Sequence, residues 1–167
     1  MRFVLDCDIW LPLSCDAVFA FFSDAFKLEQ LTPGWLRFRV QTAAPIEMGR
    51  GTLIDYRLRL RGIPIRWRTE ITAWEPPVRF EDSQLRGPYQ KWVHEHTFQE
   101  VNGGTLMRDR VIYSVPGGPL VERILVRGDV RRIFEYRQCR LPELLGVAAE
   151  DCWASEVKIA RLGRESE

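Results

Sequence analysis

The stretch GPYQKWVHEHTFQEVNGGTLMRDRVIYSV, residues 87–115, decides the fold class that this sequence predicts. Asn102-Gly103 divides it into two runs, and Asn-Gly between two strand-like runs is a strong signal for a tight β-hairpin turn. In an extended strand alternate residues point to the same face, so Trp92, His94, His96 and Phe98 share one face, and Tyr89 falls on the other. We therefore predict two long antiparallel strands, 89–101 and 104–115, joined at this turn.

Further strands and two short helices precede this hairpin. Turn-forming residues there separate runs of alternating character. These runs predict five more strands, at residues 2–11, 35–42, 51–61, 65–74 and 78–86. Between the first two strands, an apolar helix face is formed by Val18, Phe21, Phe22 and Ala25. With a second short turn expected at Lys27–Leu31, the sequence predicts one or two short helices after the first strand.

A longer helix is expected after the hairpin. Across residues 120–145 apolar side chains recur with a helical period, and Gly128 is the position where this helix is expected to kink or divide. The chain then becomes small and polar, which predicts a loosely held tail with one helical turn near Trp153. We therefore divide the chain into a single domain, residues 1–146, and a polar C-terminal tail, residues 147–167.

The composition fits a soluble globular domain and argues against several classes of function. The chain has 167 residues, a hydrophobic fraction of 46% and a formal net charge of +1, so no global charge favours nucleic acid or an acidic membrane surface. No apolar run approaches the ~18 residues needed to span a bilayer, and acidic residues interrupt the start of the chain. The four cysteines form no CxxC pair. We therefore expect a cytoplasmic protein with reduced thiols, without nucleic acid or integral membrane contact.

The order of elements and several short motifs resemble the START-like superfamily, also called SRPBCC or helix-grip, which includes the birch-pollen allergen and the polyketide cyclase/dehydrase group. The motifs are VFAFFSD at 18–24 followed by LTP at 31–33, FED at 80–82, WVHEHTF at 92–98 and DRVIYSVP at 109–116. They look like the small bacterial ligand-binding branch, and the resemblance covers residues 2–145.

This resemblance implies an α+β fold, in which a curved antiparallel sheet of about seven strands wraps around the long C-terminal helix. It also implies a cavity between the sheet and that helix for an apolar small molecule. The superfamily has no common catalytic set, so the resemblance implies no catalytic residue here. Any enzyme activity would be of the polyketide cyclase/dehydrase type.

Strand parity selects the side chains that face this cavity. The candidates for ligand binding are Tyr56, Trp67, Asp82, Gln84, Trp92, His94, His96, Phe98, Asp109 and Tyr113. We expect the histidines, the aspartates and Tyr113 to form a polar end, and the other aromatic residues to form apolar walls. Because Asp109 and His96 lie at similar distances from the hairpin turn, Asp109 is expected beside His96 or Phe98.

The pair His94 and His96, the only histidines of the chain, supports three interpretations. A His-x-His strand can present two nitrogen atoms to one metal ion, with Asp82 or Asp109 as candidate oxygen ligands, but spacing secures only the two histidines. Alternatively, a histidine acts as general acid or base oriented by Asp109 or Asp82, which would make His94, His96 and Asp109 catalytic. We favour the third, in which the imidazoles orient a hydrophobic or amphipathic ligand at a polar cavity floor. We therefore expect a small-molecule-binding protein without cofactor or metal rather than an enzyme.

A different possibility is a protein-interaction module that uses an arginine-rich sheet face. The arginines that share the outer parity of one predicted hairpin are Arg57, Arg59, Arg61, Arg66 and Arg68. No aromatic platform lies between them, and Asp55 and Glu70 supply ion-pair partners, so we favour a solvated sheet face. We expect the same for the arginines of the C-terminal helix, including Arg137, with Glu122 among their partners. No particular protein partner is indicated.

Overall fold

A computed structural model describes residues 1–163 of the chain. The strands are β1 (Phe3–Leu11), β2 (Arg39–Val40), β3 (Leu53–Leu60), β4 (Ile63–Glu75), β5 (Arg79–Arg86), β6 (Lys91–Val101), β7 (Gly104–Ser114), β8 (Trp153–Ala154) and β9 (Lys158–Arg161). The helices are α1 (Cys15–Phe22), α2 (Lys27–Leu31), α3 (Gly118–Val121) and α4 (Arg127–Leu145). A π-helical turn, Glu122–Val126, joins α3 to α4, and 3-10 turns cover Gly34–Leu36 and Ala149–Asp151.

One antiparallel sheet contains all the described strands. Their order is β2-β3-β4-β5-β6-β7-β1-β8, with β9 also paired to β1. The helix α4 packs on this sheet through Val130 and Phe134, which are buried in one cluster with Leu5 of β1 and Val111 of β7. An apolar helix stripe and one apolar sheet face thus bury each other. Six of the seven predicted strands, the short helices after β1 and the α+β helix-grip fold are confirmed. The strand predicted at 35–42 is wrong for most of its length, because a 3-10 turn, Gly34–Leu36, occupies its start and only Arg39–Val40 pairs as β2.

The hairpin of β6 and β7 has the register that positions the candidate site. Asn102 and Gly103 both have positive φ angles, of 52° and 75°, as the two-residue turn favoured in hairpins requires. This short turn sets His96 directly opposite Asp109. The first of the two predicted neighbours of Asp109 is therefore confirmed, and a buried carboxylate lies beside the histidine pair.

The expectation of a loosely held tail is wrong for residues 153–161. Both β8 and β9 pair with β1, and Val157 between them is 1% exposed. Without β8 and β9, the backbone N–H and C=O groups along one edge of β1 would be unpaired, and the two short strands pair with that edge. The 3-10 turn before β8 agrees with the helical turn expected near Trp153. The division into a domain of residues 1–146 and a separate tail stays a prediction, and residues 164–167 lie outside the described chain.

The C-terminal helix divides at Arg127, one residue before the predicted position at Gly128. The π-helical turn widens the helix there and changes the direction in which its side chains point. Glu122 is fully buried, and its carboxylate accepts hydrogen bonds from the Tyr113 hydroxyl at 2.7 Å and from the Arg127 guanidinium at 3.0 Å. The expectation that Glu122 lies on a solvated face is therefore wrong. It assumed the regular α-helical spacing of side chains, which the π-helical turn Glu122–Val126 interrupts.

Candidate functional site

A cavity of about 150 Å³ lies between the sheet and α4, with α1 and α2 at one side. Apolar side chains from the sheet and the helices form most of its wall, among them Ile54, Leu58 and Trp67 of β3 and β4, Leu31 of α2, and Ile133 and Phe134 of α4. Asp82, His94, His96 and Arg137 line it where β5 and β6 face α4, and Asp24, Lys27 and Thr32 line it beside α1 and α2. The cavity thus has mainly apolar walls, and both histidines lie at one polar end, as the sequence predicts.

Six of the ten predicted site residues line this cavity. They are Tyr56, Trp67, Asp82, Trp92, His94 and His96. The pairing of Tyr56 with Trp67, and of Asp82 with His94, places each pair on neighbouring strands with the same orientation. Strand parity therefore identified these positions correctly, and their contact with a ligand remains a prediction.

Two of the other predicted residues have structural contacts outside the cavity wall. Gln84 holds the turn before β6, where its side-chain amide donates a hydrogen bond to the carbonyl oxygen of Tyr89 at 2.8 Å and its carbonyl oxygen accepts one from the Tyr89 N–H at 3.3 Å. Phe98 packs against Phe19 of α1, with ring centroids 5.4 Å apart. The side chain of Gln84 is engaged in the turn, and α1 covers the end of β6 where Phe98 lies. The geometry therefore gives no support to ligand contact by either residue.

Tyr113 and Asp109 also lie outside the wall, one layer behind the residues that form it. The Tyr113 hydroxyl donates to the buried carboxylate of Glu122. Burial and this hydrogen bond raise the pKa of Tyr113, so its hydroxyl keeps its proton. Asp109 is buried next to both histidines, and their rings separate it from the cavity. Its parity is as predicted, and it contacts both histidines instead of lining the cavity.

Asp109 joins the two imidazole rings through a single carboxylate oxygen. Its Oδ1 atom lies 2.8 Å from His94 Nε2 and 2.7 Å from His96 Nδ1. The contact with His94 has hydrogen-bond geometry, whereas that with His96 does not, so we treat the second as a close electrostatic contact. The ring centroids of the histidines are only 3.9 Å apart. Both rings are therefore held in fixed orientations by one buried group.

The charge states within this cluster follow from burial and from these contacts. Burial alone would raise the pKa of Asp109, but its contacts with His96 and His94 outweigh that effect and hold the pKa below the ordinary range. Burial, together with the neighbouring His94, lowers the pKa of His96 in spite of Asp109. A carboxylate has no proton to donate, so the proton of the hydrogen bond between His94 and Asp109 is assigned to His94 Nε2.

Asp82 completes the polar end from the neighbouring strand β5. Its Oδ1 atom accepts a hydrogen bond from the buried hydroxyl of Thr69 at 2.8 Å, and its Oδ2 atom lies 3.7 Å from His94 Nδ1. Asp82, His94 and His96 each offer a ligand atom within 4.8 Å of the other two, so they are the described residues that could hold a metal ion. The same groups could also accept hydrogen bonds from a bound molecule.

Arg137 of α4 is a site residue that sequence reasoning missed. It lines the cavity, and its guanidinium lies over the ring of Phe134 at 5.0 Å from the centroid. Burial lowers the pKa of Arg137, although Asp109 and Asp82 oppose the shift. The expectation of a solvated position is wrong for Arg137. Its spacing from Val130 and Phe134 repeats the buried stripe of α4, and that spacing was the available signal.

Tyr89 was assigned to the outer face by parity, yet it lines the cavity. Its ring packs against Trp92 and Trp67, with centroid distances of 4.6 and 5.6 Å. Parity fails here because β6 begins only at Lys91, and the preceding turn has no strand period. Tyr89 thus adds an aromatic wall beside the polar end.

The arginine-rich sheet face has local partners. Arg68 makes two hydrogen bonds of 2.8 Å to the carboxylate of Asp55, and Arg61 donates to Asp129 of α4 at 2.9 Å. These contacts favour the interpretation of a solvated sheet face over that of a partner surface. Among the described residues, no helix is long and apolar enough to cross a membrane.

Comparisons with known proteins agree with this architecture. A family model described as "Polyketide cyclase / dehydrase and lipid transport" matches residues 11–135. No curated protein matches the chain in sequence.

Solved structures share the fold at low sequence identity. The Zhui aromatase/cyclase from Streptomyces sp. R1128 has a TM-score of 0.69 and 11% identity, over 87% of this chain and 94% of that one. Protein Ms6760 from Mycobacterium smegmatis has a TM-score of 0.63 and 18% identity, over 86% and 90%. The major latex-like protein 151 from Panax ginseng has a TM-score of 0.64 and 12% identity, over 86% and 97%. At such identities these structures establish the fold alone.

Proposed function

Because the chain belongs to the polyketide cyclase / dehydrase and lipid transport family, a group of the START-like superfamily, we propose that it binds a small amphipathic molecule in the cavity between the sheet and α4. The observation that carries this proposal is the uneven polarity of the cavity. Aromatic and aliphatic side chains form its walls, whereas Asp82, His94, His96 and Arg137 meet at one end. Sites for small molecules commonly combine apolar walls with a few converging polar groups.

The volume of the cavity limits the size of the ligand. A cavity of about 150 Å³ is smaller than the ~300–1,000 Å³ of pockets that hold drug-sized molecules. An apolar protein cavity of roughly that volume can hold benzene. We therefore infer that the ligand has an apolar part of about one aromatic ring or a short acyl chain. A longer molecule would require α2 or α4 to move outwards.

The polar end favours a ligand with a hydroxyl group. The Asp82 carboxylate and the two imidazole rings offer atoms that can accept a hydrogen bond, and Arg137 is the cationic donor at the same end. A phenol or alcohol can donate to one of these acceptors and receive a hydrogen bond from the guanidinium. A ligand without a polar group would leave these buried atoms unpaired, which costs binding free energy.

Isothermal titration calorimetry with 4-ethylphenol and ethylbenzene tests this proposal. The two probes have nearly the same shape, but only the first has a hydroxyl group. A hydrogen bond to a charged group is worth about 1.5–3 kcal/mol, so 4-ethylphenol should bind about 10- to 150-fold more tightly than ethylbenzene. Equal affinities would contradict the role given to the polar end, and failure of both probes to bind would contradict the function itself.

A cavity-filling variant shows where the probe binds. Val130 of α4 lines the cavity and is buried. In the Val130→Phe variant the added ring would occupy the space of the probe, so the affinity for 4-ethylphenol should fall at least about tenfold. The matched control is Val78→Phe, the same substitution at a side chain that is 52% exposed. Thermal unfolding of both variants reports on the overpacking cost, which is typically about 1–3 kcal/mol.

A second candidate function is acid–base catalysis, which the contact between His94 and Asp109 favours. A histidine oriented by a buried carboxylate is a common general base, and the contact distance is 2.8 Å. Asp109 also lies 2.7 Å from His96 Nδ1, and His96, whose pKa is lowered by burial, would take a proton from a carbon next to a ligand carbonyl. In D₂O, the protein should then accelerate deuterium exchange at the carbon next to the carbonyl of 4-phenyl-2-butanone. A rate unchanged by His96→Gln would exclude this role.

A further inference from the structure

Three side chains that can ligate a metal ion converge at the polar end of the cavity. Asp82, His94 and His96 each offer one ligand atom, and these atoms lie within 4.8 Å of one another. Both imidazole rings are buried, and His94 Nδ1 lies 3.7 Å from Asp82 Oδ2, beyond ordinary hydrogen-bond length. A cation between these side chains would bind them together without a direct hydrogen bond.

The contacts behind these atoms are those that commonly hold metal ligands. A metal-binding histidine usually directs its other ring N–H to a carboxylate, which fixes the tautomer and the ring orientation. Asp109 occupies that position for His94, with a hydrogen bond of 2.8 Å to Nε2, and makes a close contact of 2.7 Å with His96 Nδ1. The hydroxyl of Thr69 similarly fixes the Asp82 carboxylate at 2.8 Å. All three side chains are therefore oriented by a second layer of residues.

We propose that Asp82, His94 and His96 bind one divalent first-row transition metal ion, for which Zn²⁺ is the probe. Two imidazole nitrogen atoms and one carboxylate oxygen suit such an ion better than Mg²⁺ or Ca²⁺, which prefer oxygen ligands alone. Ligand atoms bonded at about 2.1 Å to one ion are no more than about 4.2 Å apart. The ligand atoms here lie within 4.8 Å of one another, so side-chain shifts below about 1 Å complete the site.

The charges around the site are compatible with a divalent ion. Two carboxyl side chains, those of Asp82 and Asp109, face one guanidinium, that of Arg137. Counted formally with neutral histidines, as for the whole chain, these groups carry a charge of −1 without the ion and +1 with it. The ionised hydroxyl of a phenol or alcohol would neutralise the remaining charge at an open coordination position. The inference therefore deepens the proposed function and rests on it, because the ion would meet the polar group of the same ligand.

Zinc binding by the full chain, purified without a histidine tag, tests the proposal. After incubation with Zn²⁺ and dialysis, elemental analysis should give about one zinc per chain for the wild type. In titrations, the Asp82→Asn variant should bind Zn²⁺ at least about tenfold more weakly, since even outer-layer residues contribute about 10- to 100-fold to metal affinity. The matched control is Asp55→Asn, the same substitution on the opposite face of the sheet, where Asp55 contacts Arg68. This control should bind zinc as the wild type does.

Imidazole NMR spectra of the wild type give a test that needs no variant. The chain has only two histidines, so their ring signals come from no other residue. Addition of Zn²⁺ should shift the ring nitrogen signals of both His94 and His96 strongly. This measurement decides the matter even if Asp82→Asn proves unstable.

The outcomes separate the metal proposal from the ligand-binding proposal. Stoichiometric zinc that is lost in Asp82→Asn and kept in Asp55→Asn, with the expected nitrogen shifts, supports the metal site. Substoichiometric zinc, equal affinity in both variants, or unshifted histidine signals would overturn it. If 4-ethylphenol still binds in that case, the ligand-binding function stands and only the metal inference fails. If zinc binds but neither probe does, the metal site stands as a property of the fold and the ligand proposal fails.

Discussion

Replacing Tyr113 by phenylalanine should destabilise the protein without changing ligand affinity. The hydroxyl of Tyr113 donates at 2.7 Å to Glu122, a carboxylate with no exposed surface. A hydrogen bond to a charged group contributes about 1.5–3 kcal/mol. Arg127 still contacts Glu122 at 3.0 Å in the variant, so the larger cost of an unpaired buried charge, about 3–5 kcal/mol, does not apply. The free energy of unfolding should therefore fall by about 1.5–3 kcal/mol.

Urea unfolding followed by circular dichroism measures this loss, and thermal unfolding should show a decrease in Tm of about 3–12 °C for a chain of this size. The matched control is Tyr136→Phe, since Tyr136 lies on α4 with its ring edge against Trp35. The affinity for 4-ethylphenol should change less than about twofold in Tyr113→Phe, because Tyr113 lies outside the cavity wall. A loss of stability below about 0.5 kcal/mol, or a tenfold loss of affinity, would refute this reasoning and return Tyr113 to the ligand site.

Three further outcomes follow from the packing of individual residues. Phe98→Ala should lower the free energy of unfolding by about 3–5 kcal/mol, measured in urea, with probe affinity retained, because Phe98 fills the core under α1. Val157→Ala should cost about 1.6 kcal/mol at ~0.8 kcal/mol per buried methyl group, whereas a loose tail would show no loss. Cys7, which is buried and has a pKa raised by that burial, should resist iodoacetamide at pH 8 under conditions that alkylate the exposed Cys139. Equal labelling of both thiols by mass spectrometry would contradict the packing of β1.

Local patterns in the sequence predict much of this fold and site. Alternation along β6 places His94 and His96 on the cavity face, and the Asn102-Gly103 turn places Asp109 beside them. Both features depend on residues close together in the chain, where strand period and turn geometry are strict. The sequence alone therefore predicts which side chains form the polar end of the cavity.

Other features depend on contacts that no local pattern encodes. Arg137 carries a charge at a position of the buried stripe of α4, and only the carboxylates across the cavity make this position acceptable. The buried position of Glu122 depends on a π-helical turn, which a search for a regular helical period overlooks. The strand β9 forms because β1 offers an open edge, and that edge is evident only once the sheet order is known.

The central claim is that the cavity between the sheet and α4 binds an amphipathic molecule with its polar group at the histidines. Intermolecular nuclear Overhauser effects between 4-ethylphenol and isotope-labelled protein test it most directly. The claim predicts contacts from the ethyl group and ring to Trp67 and Phe134, with the hydroxyl end nearest His96. Contacts confined to exposed aromatic residues such as Trp35 and Trp153, or the absence of any saturable contact, would contradict it.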